Sequence, residues 1–172
     1  MTVLPIVTAP DPVLKKKAVQ VAAVDDRIRQ MMDDMLETMY EAPGIGLAAP
    51  QIGVSERVVV IDIGRSDENR QPYFLVNPEI VWMSEEENTY EEGCLSVPEH
   101  YAEVVRPKAV KVKFLDRDNQ PAEIETDGLL ATVIQHELDH LDGVLFIDHL
   151  TSLKRNMIQR KLLKQKKEAA GK

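Results

Sequence analysis

The chain has 172 residues, 44% of them hydrophobic, and a formal net charge of −8, which suits one compact domain and leaves little material for a second. A single cysteine, Cys94, excludes a disulfide-stapled secreted scaffold and fits a reducing compartment. No basic stretch precedes an apolar one at the N-terminus and no window approaches about 18 uninterrupted apolar residues, so neither a signal peptide nor a membrane span is legible and a soluble cytoplasmic protein is expected.

The acidic balance argues against a general nucleic-acid or DNA binder, but the charge is unevenly placed. Residues 151–172 hold eight Lys or Arg and one Glu, a net of +7, against 13 basic and 28 acidic side chains in residues 1–150, a net of −15. Such a tail either meets an anionic partner or is a solvated helix face.

In chain order, DDRIRQMMDDMLETMYEAPG places Ile28, Met31, Met32, Met35, Leu36 and Met39 at spacings of three and four. This predicts an amphipathic helix ended by Pro43 and Gly44, its methionine stripe facing the core. GIGLAAPQIG follows, too apolar for a solvent loop, too rich in glycine for a helix, and without the Lys-Ser/Thr ending of a phosphate loop. RVVVIDI, PYFLVNPEIVW, AVKVKFLD and PAEIET predict strands, with DRDNQP a hairpin connection between the last two. The run Glu85, Glu86, Glu87 reads as a solvated turn and EEGCLSVP as strand-like. Asp127 is the expected N-cap of the helix GLLATVIQHELDHLDG and Gly143 its stop. A last helix starts at Ser152. This order predicts an α+β fold: short, mostly antiparallel strands packed around a central helix carrying H-E-x-x-H, with an N-terminal amphipathic helix and a C-terminal helix. Residues 1–150 are expected to form a single catalytic domain, and residues 151–172 a basic tail within it or projecting from it.

The chemistry concentrates in His136, Glu137 and His140. Residues four apart share a helix face, so the two imidazoles converge, and a catalytic divalent ion takes a third protein ligand while keeping one position open. Two core histidines satisfied by backbone carbonyls would explain the imidazoles but not Glu137. The extended zinc-protease pattern fails, because Phe146 stands where its third histidine belongs and Glu168 is the only acidic residue after Asp148. His149 lies off that pattern. Cys94 is the distinctive candidate upstream; a free cysteine is usually a small buried hydrophobe, but a thiolate beside two imidazoles makes a hydrolytic centre with an open position.

Three stretches, GIGLAAPQIG, EEGCLSVP and QHELDH, in this order and spacing, resemble the peptide deformylase family, and with the N-terminal DPVL and the strand pattern the likeness covers nearly the whole chain. The resemblance implies removal of the N-formyl group from the formylmethionine of nascent peptides in a bacterial cytoplasm, releasing formate and a free amine. It makes Cys94, His136 and His140 the ligands of Fe2+, with Zn2+, Ni2+ or Co2+ as replacements, although ligand type alone suggests zinc. Glu137 would move the proton of an activated water, and the Gln51 amide with the Leu95 N–H would stabilise the oxyanion. Gly46 would pair with the peptide main chain, Ile45, Tyr90, Leu129 and Val133 would wall the methionine pocket, and Glu92 would join the substrate contacts. One departure stands out: some relatives carry an arginine seven residues after the metal cysteine, where this chain has Tyr101, next to His100. The basic tail resembles the extension by which bacterial forms dock on the ribosome, through phosphate contacts to its RNA. The rival readings are another metal-dependent amide hydrolase or peptidase, and a closed structural metal site, for which only His100 or His149 offers a fourth ligand.

Overall fold

The computed structural model describes residues 2–171. Helix α1 spans Asp26–Glu41, and the Asp25 carboxylate accepts the Ile28 N–H at 3.0 Å as its cap. Ile28, Met32, Met35 and Met39 are fully buried, each such side chain contributing about 1.5–3 kcal/mol. Met31 and Leu36 pack beside them, half-buried.

Seven strands follow: β1 (Gly46–Ala48), β2 (Val58–Ile61), β3 (Tyr73–Met83), β4 (Glu87–Cys94), β5 (Val97–Pro107), β6 (Ala109–Leu115) and β7 (Pro121–Asp127). Five make an antiparallel sheet in the order β1-β2-β3-β6-β7, with β1 at one edge, while β4 and β5 form a separate hairpin. All four residues of β2 are buried. Val58 and Val60 face the α1 cluster, whereas Val59 and Ile61 face the cluster of helix α2 (Gly128–Leu141), so helices cover both faces of this strand.

Helix α2 therefore lies against the sheet through Ile134, Leu138 and Leu141, and it also touches β5 of the hairpin. The expected architecture of strands around a histidine-bearing helix is the one observed. Gly143, with φ +75°, follows the end of α2 as expected. Asp127 occupies the N-cap position as expected, in extended backbone and without a side-chain capping hydrogen bond. Glu87 begins β4 instead of belonging to the preceding turn. Strand β5 has no counterpart in the sequence reading. Helix α3 (Ser152–Ala170) inserts Leu162 into a third cluster with Leu14, Val97, Val104, Phe146 and Ile147, and leaves most of its length exposed.

Candidate metal centre

The apolar first turns of α2 are held in the core, which fixes the last turn and brings His136, Glu137 and His140 to one place. The two imidazole rings stand edge to face with centroids 5.2 Å apart. Cys94 closes β4 just past a register shift at Gly93, and its Sγ lies 3.3 Å from His140 Nε2. The ligand atoms of Cys94, His136 and His140 all lie within 4.8 Å of one another. Bonds of about 2.0–2.3 Å in a tetrahedral site separate ligands by roughly 3.3–3.8 Å, so this donor set fits a divalent cation with a fourth position left for water. Among the described residues the cluster comprises these three. Neither His100 nor His149 is part of it.

The electrostatics of the centre are uneven. Burial alone would lower His136, but hydrogen bonds to Cys94 and Glu92 and the charge of Glu137 hold it well above its ordinary value. Burial, reinforced by His136, pushes His140 well below. Burial raises the Glu137 carboxyl to about 7, with the His136 charge opposing it. That is the range in which a carboxylate both takes and returns a proton near neutral pH.

Behind the ligands lies a network that the sequence did not reveal. His136 Nδ1 meets Glu92 Oε1 at 2.9 Å, and Arg106 donates to the same carboxylate through Nε at 2.7 Å and Nη2 at 3.0 Å. Arg106 Nη1 continues to Asp139 Oδ2 at 2.8 Å, which His149 Nε2 also contacts at 2.9 Å. Glu92, expected among the substrate contacts, borders the cleft, yet its carboxylate is engaged by His136 and Arg106. Burial would raise Glu92, but those two partners hold it below the usual carboxylate range. His149 serves Asp139 and not a metal. The roles of Arg106 and Asp139 depend on pairing across β4–β5 and onto α2, contacts that no local spacing announces.

Gln51 sits on a 3-10 turn, Ala49–Ile52, directly after β1. The Ala48 N–H donates to Gln51 Oε1 at 2.9 Å, which turns the amide NH2 toward the hairpin, where it reaches Ser96 Oγ at 3.1 Å and Cys94 Sγ at 3.5 Å. Leu95 follows Cys94 and lines the same cleft. This cleft of about 570 Å³ is bordered by Ile45, Gly46, Tyr90, Leu129 and Val133, with His136 and Glu137 in its wall. Gly46 lies so close to Glu137 that a Cβ there would stand 2.9 Å from the carboxylate. Tyr101 lies at the cleft with 68% exposure. The arrangement offers a cation site, a buried carboxyl of raised pKa, an oriented amide donor and an apolar cleft running along the open edge of β1.

Comparison with known proteins gives a consistent result. A model of the polypeptide deformylase family matches residues 3–156. The peptide deformylase of Rhizobium meliloti is 51% identical over 172 residues, covering 100% of this chain and 99% of that relative. A crystal structure of peptide deformylase from Ehrlichia chaffeensis aligns with a TM-score of 0.93 at 38% identity, covering 98% of this chain and 99% of that one. A second, of peptide deformylase from the same organism in complex with actinonin, aligns with a TM-score of 0.90 at 41% identity, covering 96% of this chain and 98% of that one.

Proposed function

The chain belongs to the polypeptide deformylase family, and we propose from that premise how its residues remove the N-formyl group of formylmethionyl nascent peptides. The observation that carries this assignment is the convergence of Cys94, His136 and His140, with Glu137 and the Gln51 amide beside them, on one apolar cleft. Cys94, His136 and His140 would hold a divalent cation, which would supply Lewis acidity and bring the pKa of a water down toward neutrality.

The remaining steps belong to the chain. The peptide lies along the open edge of β1, its main chain pairing at Gly46, in strand-addition fashion. Its methionine side chain occupies the pocket walled by Ile45, Tyr90, Leu129 and Val133. Glu137 accepts a proton from the attacking water as the oxygen adds to the formyl carbon. The carbonyl oxygen becomes negative and is met by the Gln51 amide and the Leu95 N–H; losing one such donor typically costs about 100- to 1,000-fold in rate. Glu137 then returns the proton to the departing nitrogen as the C–N bond breaks, leaving formate and a free amine.

Fe2+ is the proposed native ion, with Zn2+, Ni2+ or Co2+ able to replace it. Ligand type alone suggests zinc, and the proposal of Fe2+ rests on the family. The test is formate release from formyl-Met-Ala-Ser by anaerobically purified protein with its metal quantified, beside Glu137→Ala and Cys94→Ser. Wild-type turnover, loss of turnover in Glu137→Ala with metal retained, and loss of metal in Cys94→Ser are expected. A folded, metal-loaded wild type that releases no formate would sink the assignment, and native protein carrying zinc would correct the ion.

Residues 1–150 are proposed as the catalytic domain and α3 as a docking element for ribosomal RNA in a bacterial cytoplasm. Lys154, Arg155, Arg160, Lys161, Lys164, Lys166 and Lys167 lie on this mostly exposed helix. No helix among the described residues is long and apolar enough to cross a membrane. Cosedimentation with ribosomes should weaken steeply with salt and with charge reversal at Arg160, Lys161 and Lys164. Salt-independent cosedimentation, or none, would refute the docking.

A further inference from the structure

We infer that the N-terminal segment from Ile6 to Ala9 is a strap that fixes the separation of the two oxyanion donors, an inference that rests on the deformylase roles proposed for Gln51 and Leu95. Those donors come from segments far apart in sequence: the 3-10 turn after β1, and the Leu95–Ser96 turn between β4 and β5. One short stretch of backbone ties the two together. The Val7 N–H donates to the Gln51 carbonyl at 2.7 Å, and the Ala9 N–H donates to the Ser96 carbonyl at 2.8 Å. Two residues of chain span at most about 7 Å, so the strap cannot stretch while both bonds hold.

The strap is itself anchored. Before it, the Leu4 N–H donates to Thr38 Oγ1 on α1 at 2.9 Å. Within it, the Thr8 carbonyl accepts Lys166 Nζ from α3 at 2.7 Å, and Ala9 is buried in the third cluster. The Gln51 side chain has little freedom to compensate for drift, because its Oε1 is held by the Ala48 N–H and its NH2 by Ser96 Oγ. Whether the Gln51 amide and the Leu95 N–H converge on one oxygen is therefore set by the spacing of the two backbone segments. Oxyanion donors act only when they lie about 2.7–3.1 Å from where the negative oxygen will be. A displacement of about 1 Å can cost on the order of 100-fold in rate. Val7 and Ala9 touch no reacting atom through these bonds; they are positioning residues acting through backbone amides.

The test is Val7→Pro, which deletes the donor to the Gln51 carbonyl, read by steady-state formate release from formyl-Met-Ala-Ser with metal content and thermal unfolding followed in parallel. Val3→Pro, at an exposed position, controls for proline in this segment and should keep wild-type rates. For Val7→Pro, kcat should fall by about 10- to 100-fold while KM and metal content stay within about twofold. In a Gln51→Ala background the same substitution should cost less than about threefold, since the donor it positions is gone. If Val7→Pro does not fold, Val7→Gly takes its place: it keeps the donor but loosens the tie, and a loss of about threefold in kcat, again abolished by Gln51→Ala, is expected. An unchanged kcat in the folded variant, or a full cost persisting without the Gln51 amide, overturns the strap and leaves deformylation standing. Absence of formate release by the wild type overturns both.

Discussion

Glu92 Oε1 stands 2.9 Å from His136 Nδ1, and both side chains are almost entirely out of water. A carboxylate at this nitrogen fixes the tautomer and the ring plane, so that Nε2 is the atom presented to a cation, and it raises the basicity of the ligand. Among the described residues His140 has no equivalent support, since none of them gives its buried Nδ1 a hydrogen bond. Glu92→Gln should therefore weaken metal binding by about 10- to 100-fold. Competition with a chromophoric chelator measures this directly, and an affinity equal to wild type would show that the ring is held by packing alone.

Arg106 is the reason a carboxylate can be kept there. Its side chain and that of Glu92 are 6% and 5% exposed, and Arg106 also reaches Asp139. Removing one partner of such a pair leaves a buried charge uncompensated, which typically costs about 3–5 kcal/mol, whereas replacing both by apolar groups is far milder. Arg106→Met should destabilise the metal-free protein by about that amount, and the double variant Glu92→Leu, Arg106→Met by less than the two single changes combined. Urea unfolding without metal, which keeps ligand linkage out of the comparison, tests this; additive costs would mean that the pair does not act as a unit.

These two residues also mark where the sequence stopped being legible. Helix α1, four strands and the histidine-bearing α2 were readable because apolar spacing at periods of 3.6 and 2 reports a buried face directly. Strand β4 buries a glutamate, Glu92, where an alternating pattern should show an apolar residue, and β5 buries Arg106 in the same way. The polarity that hid the hairpin is the polarity that supports His136. Cys94 could be suspected only because two histidines needed a third ligand. Ser96, Asp139 and Arg106 acquire roles only once β4, β5 and α2 are in contact.

Glu137 makes the stability of the metal-free protein depend on pH. Burial raises its folded carboxyl to about 7 from an ordinary value of 4.5, so the folded state holds its proton more tightly than the unfolded state does. Stability from this group is fully present below about pH 4.5 and is lost as pH rises to about 7, a difference near 3 kcal/mol at 1.36 kcal/mol per unit. Metal-free Glu137→Gln, which stays neutral throughout, should match the wild type near pH 4 and exceed it by roughly that amount near pH 8. A constant difference across the range would refute the burial effect. A bound cation favours the carboxylate, so the acid limb of kcat/KM in the metal-loaded enzyme should fall below pH 7.

The contact between Gly46 and Glu137 gives the sharpest structural prediction. A Cβ on Gly46 would lie 2.9 Å from Cγ, Cδ and Oε2 of Glu137, and Glu137 is buried on a helix held by the core. Either the carboxylate shifts or β1, paired at Gly46 with Ile61, backs away. Because Glu137 is not among the ligand cluster, Gly46→Ala should keep its metal while kcat falls by about 10- to 100-fold, the cost of a proton acceptor moved by a fraction of an ångström to 1 Å. Gly93→Ala provides the contrast. The nearest atoms to its Cβ would be those of the Tyr101 ring, from 2.6 Å, and that residue is 68% exposed. A rate within about twofold of wild type is expected there, as for most surface changes. Equal losses in the two variants would mean that the cleft responds to bulk anywhere along its rim, and that the approach of β1 to Glu137 has no special part in the reaction.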